Sequence, residues 1–68
     1  MNKMKVNEHR FKVIDRITGI VIGGFSAKGF GFPDDELISV MLDEFCRVRR
    51  VRACNFRVQH ISTSEVDL

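Results

Sequence analysis

Apolar and polar positions separate with a helical period over residues 33–48. At 100° per residue, Leu37, Val48, Met41, Phe45, Ile38 and Leu42 fall within one arc of about 140°. Ser39, Asp43, Glu44 and Arg47 take the other side, and Val40 alone is out of place. Pro33 suits a first helical turn, and Asp34, Asp35 and Glu36 follow where the helix dipole favours negative charge. Arg47, Arg49 and Arg50 crowd the last turn, and Arg49 would intrude on the apolar arc if the helix continued. The pattern therefore predicts one helix of about 15 residues, about 22 Å long, ending near Val48. Such a helix cannot bury its arc alone, so the flanking segments must supply a sheet.

Those segments alternate with period two. Arg10 to Asp15, with Phe11, Val13 and Ile14, reads as a first strand, and residues 1–9 as a loose lead-in. Asp15-Arg16-Ile17-Thr18-Gly19 supplies turn chemistry, because Asp bonds nearby amides and Gly accepts positive φ. Ile20-Val21-Ile22 starts the return strand. Gly23-Gly24 inside it implies a bulge, a bend or a close backbone approach. Beyond the helix, Ala53 to Ile61 alternates, with Cys54, Phe56 and Val58 on one face and Asn55, Arg57 and Gln59 on the other. Ser62 to Leu68 is expected to fray.

The order strand, strand, helix, strand gives a small α+β domain of β-β-α-β type. Carried back across the sheet by the helix, the third strand lies antiparallel beside the first, in order 2-1-3, with the helix on one face. All 68 residues form one domain. With 44% hydrophobic residues and six Phe the chain can build one core. Its margin is thin, since a chain this short buries only about 60% of its unfolded surface.

Charge and cysteine content narrow the classes little. A net charge of +2 is too mild to imply nucleic-acid binding by itself. There is no apolar run of membrane-span length and no signal peptide, so a cytoplasmic setting with Cys46 and Cys54 reduced is expected. Cys46, Cys54, His9 and His60 fit no common zinc spacing, and no nucleophile motif surrounds the serines. No metal, no cofactor and no enzymatic activity are expected.

Lys28-Gly29-Phe30-Gly31-Phe32 matches the start of the RNP1 pattern. In an extended segment Phe30 and Phe32 share one side where unpaired bases stack, Gly29 and Gly31 leave the backbone open, and Lys28 meets a phosphate. Together with Thr18-Gly19-Ile20-Val21 upstream and Pro33-Asp34-Asp35 downstream, residues 18–35 resemble the opening third of a cold-shock domain. Phe56 to Ile61 is similar to that family's second RNA-binding motif. The resemblance implies a single-strand RNA or DNA binder on a barrel, with Lys28, Phe30, Phe32 and His60 at the site. The chain departs from the family at Gly23, where an aromatic is usual, and at Pro33, which opens a helix instead of continuing a strand. The alternative is that Phe25, Phe30 and Phe32 cover one end of the helix–sheet core.

Arg47, Arg49, Arg50 and Arg52, with Arg57 farther on, put five arginines into eleven residues. Arginine offers a permanently charged, planar fork to phosphate or carboxylate. Part of the cluster answers to the helix dipole and to an Asp43–Arg47 pair at i+4. The rest forms a candidate docking patch. Elimination of other classes leaves two expectations. The first is a small non-enzymatic interaction protein that docks on a host nucleic-acid-handling or defence complex and modulates it. Short, apparently complete chains of this kind are frequent among phage and mobile-element accessory proteins and inhibitors. The second is the single-strand binder. The expected partner is a protein, within a nucleoprotein complex or alone, or nucleic acid, with no membrane; the chain is a monomer or homodimer.

Overall fold

A computed structural model describes residues 4–68. Strand β1 (Lys5–Asp15) turns into β2 (Val21–Gly29). Helix α1 (Asp35–Arg49) follows, and a 3-10 turn, Ala53–Asn55, leads into β3 (Phe56–Asp67). The sheet order is β2-β1-β3, with β1 antiparallel to both neighbours and α1 across one face.

The hairpin forms for the expected reason. Asp15 Oδ1 accepts the amides of Ile17 at 2.8 Å and Thr18 at 3.0 Å, and those bonds hold its carboxyl below the ordinary carboxylate range. Gly19 sits at φ 75° and donates to the Asp15 carbonyl at 2.9 Å. At the helix start, Asp34 Oδ1 caps the Leu37 amide at 2.8 Å, so Pro33 precedes the cap instead of lying in the first turn. At the end, Arg50 adopts the left-handed conformation (φ 59°) and donates to the Arg47 carbonyl.

Three further sequence expectations need correction. The strands run farther than alternation shows: residues 5–9 belong to β1, and Ser62 to Asp67 to β3. Each tail is held by the other, with Val6 opposite Val66 and His9 opposite Thr63. The part of the expected lead-in at residues 1–3 lies outside the described residues. Arg49 stays in the helix instead of ending it, because its guanidinium lies 3.5 Å over the Phe45 ring. Cys54 belongs to the 3-10 turn and is exposed, whereas Phe56 and Val58 do face the core side.

The core is Val13, Phe45, Cys46 and Phe56, with Phe25, Leu42 and Ala53 packed against it. Phe45 reaches the sheet because position 23 lacks a side chain: a Cβ there would lie 2.9 Å from the ring. The inward stripe of α1 is thus turned toward Leu42, Phe45 and Cys46, leaving Leu37 47% and Val48 64% exposed. The sheet outruns the helix. Beyond it, Phe11 packs with Phe25, Phe32 and His60 at centroid distances of 5.4 to 5.7 Å.

Candidate nucleic-acid interface

Every second residue of a strand shares a face, and residues paired across strands share it too. Phe11, Val13, Phe25 and Phe56 face the helix, so the intervening residues face the open side. Register sets them in rows: Val21, Ile14 and Arg57; Gly24, Lys12 and Gln59; Ser26, Arg10 and Ser62; Lys28, Glu8 and Ser64. Val6 and Ile14 share this face but are buried, so its exposed polar side chains come from the rows between them and from Arg57 beside Ile14.

Four cations stand here against one carboxylate, a surplus larger than the net +2 of the whole chain. Glu8 takes two hydrogen bonds from Arg10, at 3.1 and 3.2 Å, and lies 4.0 Å from Lys28. Among the described residues, Lys12 and Arg57 have no ion-pair partner. Around them stand Ser26, Gln59, Ser62 and Ser64, all able to donate or accept. Gly24 leaves the backbone bare beside Lys12. No aromatic side chain lies in these rows.

The arginine cluster does not form one surface. Arg57 belongs to the open sheet face. Arg47 pairs with Glu44 at i+3, Nε to Oε2 at 3.0 Å, rather than with Asp43; the bond holds the Glu44 carboxyl below its ordinary range and raises Arg47. Arg49 covers Phe45 and donates to its carbonyl at 3.2 Å. Arg50 and Arg52 are exposed at the helix end.

The Lys28–Phe32 segment is also divided. The strand ends at Gly29, so Lys28 remains on the sheet while Phe30 and Phe32 lie beyond it. Phe30 is 69% exposed. Phe32 lies 4.9 Å from His9 and 5.1 Å from His60, in T-shaped contacts, and remains 56% exposed. A network missed in the sequence anchors it: buried His9 joins Thr63 Oγ1 at 2.8 Å and the Gly31 carbonyl at 3.1 Å, and His60 joins the same hydroxyl at 2.9 Å. A carbonyl only accepts, so His9 Nε2 is the donor to Gly31. Phe25 and Phe32 therefore cap the sheet, and Phe30 does not.

Arg10 and Lys12 were also missed. Their signal was parity: they alternate with Phe11 and Val13, and so take the face opposite the core.

Both cysteines are free. Burial, then nearby Asp43, pushes the Cys46 thiol above its usual range. A disulfide-exchange reagent is expected to titrate one thiol, Cys54, at once and the second only in denaturant. Two fast thiols would contradict the packing of Cys46. Among the described residues, no group of three His, Cys, Asp or Glu could hold a metal, and no helix is long and apolar enough to cross a membrane. No family model, curated protein or solved structure matches the chain.

Proposed function

We propose that the chain is a small non-enzymatic interaction protein that docks its open sheet face on the phosphate backbone of a nucleic-acid duplex. The observation that carries this is the concentration of Arg10, Lys12, Lys28 and Arg57 on one sheet face with one acid. Flanking Ser and Gln side chains supply the neutral hydrogen bonds that usually accompany such contacts. A face without aromatics cannot stack unpaired bases, which favours a duplex over a single strand.

Fluorescence anisotropy with a labelled DNA duplex of about two helical turns tests the reading. For three to four phosphate contacts, affinity should fall roughly 40- to 150-fold between about 50 and about 200 mM salt. Lys12→Gln with Arg57→Gln should weaken binding and lower the salt slope by about two, with the fold intact. Arg50→Gln with Arg52→Gln should change little. Equal losses from both pairs would mean net charge, not this face, and would overturn the assignment. Equal or tighter binding of the separated strand, lost on Phe30→Ala or Phe32→Ala, would replace it with the single-strand reading.

A protein-docking reading keeps one specific support. Arg50 and Arg52 stand exposed at the end of α1, where Val48 is exposed as well.

A further inference from the structure

The outward side of α1 carries Leu37, Met41, Glu44 and Val48 at spacings of four, three and four residues, with Val40 beside them. Three of these apolar side chains are exposed: Leu37 by 47%, Val40 by 56% and Val48 by 64%. This spacing is the seam by which helices pack lengthwise on one another. Beside it, a groove of about 300 Å³ opens between α1 and β2, lined by Phe25, Met41, Phe45 and Val48. Ser26, Glu44 and Arg49 line it as well.

Charge along the helix decides what fits. Asp34, Asp35 and Glu36 stand at its start, and Arg47, Arg49 and Arg50 at its end. A second helix of the same sequence, laid antiparallel, sets acid against arginine at both ends and Leu37 against the Val48 side of the groove. Laid parallel, it sets like charges together. Glu44 falls within the seam, but Arg47 already satisfies its carboxylate. The surface is therefore complementary to itself under a twofold axis, the condition for an isologous dimer.

We infer that α1 is a homodimer interface, occupied by antiparallel α1 of a second copy. The dimer layers as sheet, helix, helix, sheet. Its two open basic faces point outward, away from the seam. The inference does not depend on the nucleic-acid reading, because the seam residues belong to α1 and the basic residues to the strands.

Sedimentation equilibrium of the full chain tests it. The wild type should show a monomer–dimer equilibrium in the micromolar range. Val48→Asp, at an exposed position, should weaken dimerisation more than tenfold while the circular dichroism spectrum stays unchanged. Glu36→Arg should weaken it less, and added salt should weaken the wild-type dimer. A monomer at millimolar concentration would overturn the inference and leave the stripe to a different protein. A dimer that Val48→Asp does not disturb would overturn it by placing the contact elsewhere. Lost duplex binding with dimerisation intact would bear on the proposed function alone.

Discussion

Phe45→Ala is expected to cost about 3–5 kcal/mol, most of the stability a domain this small possesses. Phe45 is the side chain through which α1 reaches the sheet. It belongs to the core with Val13, Cys46 and Phe56, fills the space above Gly23 and carries the Arg49 guanidinium on its ring. Truncation would leave a cavity where helix and sheet meet and strip the arginine of its support. Leu42→Ala should cost about 2–5 kcal/mol by the same mechanism. Ser39→Ala, on the exposed side of the same helix, should cost little. Urea denaturation followed by circular dichroism compares the three. A loss at Ser39 as large as that at Phe45 would mean that the buried face is assigned wrongly.

Gly24→Ala is the second large effect. A Cβ at this position would lie 2.4 Å from the carbonyl oxygen of Phe11, a backbone atom of the central strand. No rotamer change relieves a contact with backbone, so β1 and β2 must separate or slip. A slip by one residue would exchange the core face with the open face, which the buried Phe11 and Val13 oppose. The variant should therefore be largely unfolded at room temperature. Gly31→Ala has nothing within 4 Å of the added carbon and should fold like the wild type. Paired melting curves distinguish them, and a well-folded Gly24→Ala would contradict the β1–β2 register.

The contrast between legible and hidden features is physical. Strand order and helix position followed from local signals strong enough to act alone: the Asp15–Gly19 turn, the apolar arc and the acid-to-arginine polarity of α1. The strand tails were hidden because residues 5–9 and 62–67 carry mostly polar side chains. Their extended form comes from pairing with each other, which neither segment shows separately. Arg49 was misjudged because a charged residue on an apolar arc reads as a helix stop, whereas its planar head can stack on an aromatic ring. The candidate site was obscured differently. Sequence proximity groups Arg47 to Arg57, but β1 at the centre of the sheet collects cations from three separate segments: Arg10 and Lys12, Lys28, and Arg57. No window along the chain contains them together.

Proton–nitrogen chemical-shift mapping of the labelled protein against the same duplex tests the central assignment most directly. The account predicts that the largest shifts fall on the amides of Arg10, Lys12, Ser26, Arg57, Gln59 and Ser62, with Leu37, Val40 and Val48 unmoved. Shifts centred on Phe30, Phe32 and His60, or on Arg50 and Arg52 with β1 unmoved, would contradict it.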